Sequence, residues 1–166
     1  FDGNTVTGRP SKGIEARYSD SLTVTNNNLD VSGYGISVHD GSYLTIDNNT
    51  VTNFNDYGIY FNSSENSVIN NNRLISSGQN SNELFGIRNQ TSNQNATVTN
   101  NYVYVSNSGC DWCGYSLRFA GIEAHDSEIS NDSIWVATAS GDYDEFYGVG
   151  IYGDRSTITD NYINIW

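Results

Sequence analysis

The sequence predicts an all-β fold, a solenoid of about six coils with long loops on one edge. Three observations carry that expectation. A Gly-Ile pair recurs six times: Gly13-Ile14, Gly35-Ile36, Gly58-Ile59, Gly86-Ile87, Gly121-Ile122 and Gly150-Ile151. After each pair comes a segment of the form (Val/Ile)-x-Asn-Asn-x-(Leu/Val/Ile), as in Val24-Thr25-Asn26-Asn27-Asn28-Leu29 and Ile69-Asn70-Asn71-Asn72-Arg73-Leu74. Around both, apolar and polar residues alternate with a period of two. Two motifs in a fixed order, repeated at intervals of tens of residues, are the mark of stacked coils.

Each element of the coil has a local reason. Leu22 and Val24 alternate with Thr23 and Thr25, Val103 and Val105 with Tyr102 and Tyr104, and Ile163 and Ile165 close the chain in the same way. Short alternating runs are strands with one buried face. Every repeat holds three: one opening at Gly-Ile, one ending at the Asn pair and one following it. The repeat runs from 22 residues (Gly13 to Gly35) to 35 residues (Gly86 to Gly121), which suits one coil with loops of variable size. The Asn pair marks a bend, where the chain needs a positive φ that Asn tolerates better than any residue except Gly. Stacking sets like residues about 4.8 Å apart, close enough for side-chain amides to bond up the stack. The expected ladder is Asn27, Asn49, Asn72, Asn101, Asp132 and Asn161. Ile14, Ile36, Ile59, Ile87, Ile122 and Ile151 form an inner column, each contributing about 1.5–3 kcal/mol when fully buried. Residues 1–12, broken by Gly3, Gly8 and Pro10, read as a lead-in, and 13–166 as six coils of a single domain. A β-sandwich with Asn-rich turns explains neither the order of the motifs nor the missing Asn-Gly hairpins.

These units resemble right-handed parallel β-helix repeats over about residues 13–166. Pectate lyases, polygalacturonases, phage tailspikes and NosD-like surface proteins share that superfold. The resemblance implies a fold and leaves the activity open, since one superfold hosts many.

Composition narrows the function. Nineteen acids against seven bases give a net charge of −12. That leaves no basic face for nucleic acid and disfavours an anionic membrane surface. No apolar run reaches the 18 residues of a membrane span. With 16% charged and 13% aromatic residues, the chain is not a disordered polyelectrolyte. A chain that begins Phe1-Asp2 and contains no methionine reads as processed, with a secretory leader removed, so the expected location is extracellular, at the cell envelope.

The connection from each third strand to the next Gly-Ile lengthens through residues 53–57, 76–85 and 106–120 and is long again at 137–149. Insertions on one edge mark the interacting face of a solenoid. The longest connection holds Cys110-Asp111-Trp112-Cys113. Zinc would need two more ligands, and the only histidines, His39 and His125, share one repeat position three coils apart, about 14 Å. The expectation is therefore a disulfide, within the loop or between chains. Asp142, Asp144 and Glu145 are candidate Ca²⁺ ligands, although their spacing does not match an EF-hand; no other cofactor is expected. Of five glycosylation sequons, Asn48 and Asn131 fall in the bend and should be closed. Asn62, Asn89 and Asn95 lie near corners and should be open to glycans.

No catalytic set is evident. The Asn-Thr-Asp, Asp-Asp, His-Gly and Arg-Ile-Lys blocks of the polygalacturonase type are missing, and Arg9, Lys12, Arg17, Arg73, Arg88, Arg118 and Arg155 read as scattered. The expectation is a protein that is not an enzyme. The last strand, Tyr162–Trp166, keeps its alternation to the end with no capping segment after it. Open solenoid ends expose backbone and core. Ile163, Ile165 and Trp166 are therefore expected to meet another copy, end to end, in a secreted structural subunit of a filament, sheath or surface layer. It resembles, in this loose compositional sense, NosD-like surface proteins and archaeal sheath or surface-layer proteins. The alternative is a glycan-binding adhesin module using Trp112, Tyr115, Tyr143, Phe146 and Tyr147 as stacking platforms, and the third a polysaccharide lyase or hydrolase.

Overall fold

The computed structural model describes residues 1–62, 65–77, 83–91, 95–106, 116–137 and 145–166, with backbone alone at 116–117 and 145–147. All its strands lie in three parallel sheets, and each coil contributes one strand to each sheet. The Gly-Ile runs form a six-stranded sheet: β2 (Lys12–Arg17), β5 (Tyr34–His39), β8 (Tyr57–Asn62), β11 (Glu83–Asn89), β14 (Ser116–Glu123) and β17 (Glu145–Tyr152). The runs entering the bend form a second six-stranded sheet: β3 (Thr23–Thr25), β6 (Thr45–Asp47), β9 (Val68–Asn70), β12 (Thr97–Thr99), β15 (Glu128–Ser130) and β18 (Thr157–Thr159). The runs leaving it form a seven-stranded sheet: β1 (Thr5–Val6), β4 (Asn28–Asp30), β7 (Thr50–Thr52), β10 (Arg73–Ser76), β13 (Tyr102–Ser106), β16 (Ser133–Ala137) and β19 (Tyr162–Ile165).

The seventh strand corrects the first boundary. Residues 1–12 are not a bare lead-in: β1 pairs with β4, and the Asn4 backbone N–H and Nδ2 both donate to Asn27 Oδ1 at 2.9 Å. Asn4 is a further rung, and Gly3, at φ 64°, fills the first place of its Asn pair. Gly adopts that conformation without strain, so the motif persists where its spelling is lost.

The expected register holds. The isoleucine column is continuous from Ile14 to Ile151, and from Ile36 to Ile122 its members are fully buried. The glycine before each isoleucine sits where the wall turns inward. A Cβ on Gly86 would stand 2.2 Å from Val103 Cγ1 and 2.6 Å from the Gly121 carbonyl, so the coil spacing itself excludes a side chain.

The two residues of each Asn pair divide the work. The first takes the left-handed conformation: Asn26, Asn48, Asn71, Asn100, Asn131 and Asp160 have φ between 53° and 57° and are exposed. The second points inward and makes the ladder. Asn49 Oδ1 accepts the Asn27 backbone N–H (3.0 Å) and Nδ2 (2.8 Å). Asn72 serves Asn49, Asn101 serves Asn72 and Asp132 serves Asn101 in the same way, and Asn161 accepts the Asp132 N–H. Buried backbone groups at a bend need such partners.

Candidate binding face

The loops longest in sequence join β10 to β11, β13 to β14 and β16 to β17, so they leave one corner at neighbouring coils. The strands they enter are seven or eight residues long, against six in β2, β5 and β8. The outer surface of the Gly-Ile sheet beside this corner carries a packed layer of its own.

Two outward rows flank the inward Gly-Ile pairs. The row before glycine runs Lys12, Tyr34, Tyr57, Phe85, Ala120, Val149. The row after isoleucine runs Glu15, Ser37, Tyr60, Arg88, Glu123, Tyr152. Tyr57, Tyr60, Phe85 and Ala120 are buried and form a second apolar cluster outside the solenoid core. The Tyr34–Tyr57, Tyr57–Tyr60 and Tyr57–Phe85 ring centroids lie 5.0, 5.2 and 5.7 Å apart, the spacing of favourable offset and edge contacts.

An ion cluster is set into this layer. Arg88 is 4% exposed. Its Nη1 donates to Glu83 Oε2 and to the Tyr57 hydroxyl, both at 2.6 Å, and its Nε stands 3.0 Å from Glu123 Oε2. The Tyr57 hydroxyl donates to Glu83 Oε2 at 2.6 Å, and the guanidinium lies 4.4 Å from the Phe85 ring centre. Arg118 stands 3.8 Å from both Glu83 and Glu123, and His125 Nε2 is 3.6 Å from Glu123 Oε1. Burial pushes the Tyr57 hydroxyl well above its ordinary range, and its bond to Glu83 adds to this. Burial also pushes the Glu83 carboxyl up, but hydrogen bonds from Tyr57 and Arg88 outweigh it and leave it below the ordinary value. Arg88 remains a cation because the neighbouring carboxylates outweigh its desolvation.

Two cavities lie along this face. In the row before glycine, the aromatic side chains give way to Ala120 and Val149. The space this leaves above Phe85 is a cavity of about 240 Å³ with mostly apolar walls, closed by Arg118, Glu123 and Tyr152. A more polar cavity of about 280 Å³ lies over the first coils, among Lys12, Arg17, Tyr34, Ser37, His39 and Tyr60. Both are a little smaller than the ~300–1,000 Å³ sites of drug-sized ligands, so each takes about one ring.

The cluster overturns the expectation that the basic residues are scattered. Four of the seven, Lys12, Arg17, Arg88 and Arg118, lie on this face beside Glu15, Glu83 and Glu123. The signal was available: counted from glycine, Arg88 and Glu123 share one position, as do Glu83 and Arg118, and both are register partners.

The other predicted residues separate. Cys110, Cys113, Asp142 and Asp144 lie outside the described residues, as do Trp112, Tyr115 and Tyr143; Glu145 opens β17, with its backbone alone described. Among the described residues no group of three His, Cys, Asp or Glu is placed to hold a metal. Of the sequons expected to be open, Asn95 is exposed and Asn62 partly so. Asn89 is not: it is completely buried, because it falls on the inward row beside Phe61. Asn48 and Asn131, expected to be closed, are exposed, because the ladder uses the second residue of the pair. His39 Nε2 lies 2.9 Å from Ser37 Oγ, three coils away from His125. Ile163, Ile165 and Trp166 are 44%, 48% and 54% exposed.

A family model described as "Right handed beta helix region" matches residues 1–163, and the chain belongs to that family. No curated protein and no solved structure matches it.

Proposed function

We propose that the chain is an extracellular glycan-binding β-helix whose ligand lies along the outer face of the Gly-Ile sheet. One observation carries this reading: the change from Phe85 to Ala120 and Val149 opens an apolar cavity rimmed by Arg118, Glu123 and Tyr152. Apolar walls suit the C–H face of a sugar ring, and charged groups at the rim suit its hydroxyls. The second cavity lies on the same face, so a linear oligosaccharide along the axis reaches both. A protein of net charge −12 repels polyanions, which favours neutral glycans over uronates. The test is calorimetric titration with neutral oligosaccharides of the wild type and Ala120→Trp, which fills the cavity. The reading expects binding by the wild type and at least a tenfold loss in the variant; equal affinity, or none in the wild type, ends it.

A second reading, assembly of copies end to end, is favoured by a different observation. Ile158, Ile163 and Ile165 are 44–48% exposed, whereas their counterparts one coil earlier, Ile129, Ile134 and Val136, are fully buried. A further coil laid on β17, β18 and β19, from another molecule or from a continuation of the same chain, would bury that row, at about 1.5–3 kcal/mol per side chain. Negative-stain microscopy and sedimentation velocity distinguish polymers from dispersed monomers.

A further inference from the structure

Among the inner rungs of the ladder one residue is not asparagine. At Asn49, Asn72 and Asn101, Nδ2 lies 2.9–3.0 Å from the Val24, Ile46 and Ile69 carbonyls of the coil below. It also lies 2.9–3.1 Å from the Asp47, Asn70 and Thr99 carbonyls of its own coil and 3.0 Å from the Oδ1 of the rung above. Asn161 Nδ2 repeats the first contact, to the Ile129 carbonyl at 3.0 Å. Each inner slot is thus walled by acceptor oxygens and asks for a donor.

Asp132 fills one of these slots. Its Oδ1 does what every rung does, accepting the Asn101 N–H at 2.7 Å and Nδ2 at 3.0 Å. Its Oδ2 takes the place of the amide nitrogen. By register its neighbours are the Val98 carbonyl, the Ser130 carbonyl and Asn161 Oδ1, and this buried oxygen has no hydrogen-bond partner. An ionised carboxylate there would face acceptors with no donor, whereas an O–H has acceptors on several sides. We propose that Asp132 stands in the folded protein as a neutral carboxylic acid, its Oδ2–H replacing the amide N–H of the other rungs, so that coil six is held more firmly in acid than at neutral or alkaline pH.

The surroundings support this. The titratable groups on the elements packed against Asp132 are Glu128 on β15, Tyr102 and Tyr104 on β13, Asp160 in the last bend and Tyr162 on β19. Glu128, Asp160 and Tyr162 are exposed, and the two tyrosines lie on the outer face of their sheet. None is a cation that would hold a carboxylate. Burial pushes the Asp132 carboxyl from an ordinary 3.8 up to about 7, against the opposing effect of the two Asn101 N–H groups. In the unfolded chain the group ionises near its ordinary value. Its contribution to stability is therefore complete below about pH 4 and is lost as pH rises through about 7. Across that interval each pH unit lowers the folded-to-unfolded ratio about tenfold.

The test compares Tm against pH for the wild type and Asp132→Asn, which restores the amide, and follows the Asp132 carboxyl carbon by NMR in the wild type. The expected result is a wild-type Tm that falls relative to the variant from about pH 4 to about pH 7 and then runs parallel. Amide protection at Thr157–Thr159 and Tyr162, taken relative to the intrinsic base-catalysed exchange rate at each pH, should fall over the same range in the wild type alone. Parallel Tm curves throughout, or a carboxyl carbon that titrates near pH 4, overturn the proposal.

Discussion

The asparagine ladder and the outer face of the Gly-Ile sheet are built on the same register, yet they use it in opposite ways. In the ladder, the residues stacked above Asn27 are Asn49, Asn72 and Asn101, each making the same bonds. In the row before glycine, Tyr34, Tyr57, Phe85, Ala120 and Val149 succeed one another, and the cavity opens where large side chains give way to small ones. Repetition serves the fold, because every coil has the same bend to satisfy. Departure from repetition on an outward row does not disturb that bend, so it is where a solenoid accommodates a ligand. Asp132 is the instructive exception, a departure inside the ladder that carries a titratable proton.

The comparison can be broken most sharply at Arg88. Arg88→Met leaves the buried Glu123 and the half-buried Glu83 without their shared guanidinium, with Arg118 at 3.8 Å from each, His125 beside Glu123 and the Tyr57 hydroxyl on Glu83. Removing one partner of a buried ion cluster costs about 3–5 kcal/mol, and the exposure of Glu83 places the expected loss near 3 kcal/mol by urea denaturation. A loss below about 1 kcal/mol would mean that the outer layer is not a packed structure.

Asn71 and Asn72 sharpen it further. Asn72→Ala strips the Asn49 backbone N–H of its acceptor in a buried site and takes the Asn72 amide donor from the Ile46 carbonyl, at about 1–3 kcal/mol for each stranded group, while Asn49 Nδ2 keeps the Val24 and Asp47 carbonyls; an overall loss of about 3 kcal/mol is expected, and Asn72→Gly should be no better. Asn71→Ala strains a residue at φ 53°, at about 1–2 kcal/mol, and Asn71→Gly should lie within about 0.5 kcal/mol of wild type. The natural Gly3-Asn4 pair already shows that the first place accepts glycine. Equal losses at both positions would erase the division of labour within the pair. The smallest expected effect is at Asn89, whose buried Nδ2 finds no partner. Asn89→Val matches the apolar Val38 and Phe61 of its row and should change stability by no more than about 1 kcal/mol, upward, in the same assay.

How much of this was legible in the sequence follows from the same contrast. The coil, its three strands, the isoleucine column and the ladder rungs from Asn27 to Asn161 were readable because each repeat spells them alike. Asn4 escaped because Gly3 replaces the first Asn of its pair, a substitution of conformation rather than of motif. The Arg88–Glu83–Glu123 cluster escaped because its members lie five to 40 residues apart in sequence and never recur. Only counting from glycine brings Glu83 beside Arg118, and Arg88 beside Glu123. Asn48 and Asn131 were placed on the wrong side because the whole bend was read as closed, whereas only the second member of each pair turns inward and the first faces solvent.

The most direct test of the central claim is residue-level mapping of a bound neutral oligosaccharide by NMR on the isotopically labelled chain. The account predicts shifts concentrated at Phe85, Arg118, Ala120, Glu123, Val149 and Tyr152, with the ladder amides of Asn49, Asn72 and Asn101 unmoved. Shifts centred instead on the outer aromatic residues of the seven-stranded sheet, Tyr102 and Trp135, would contradict it.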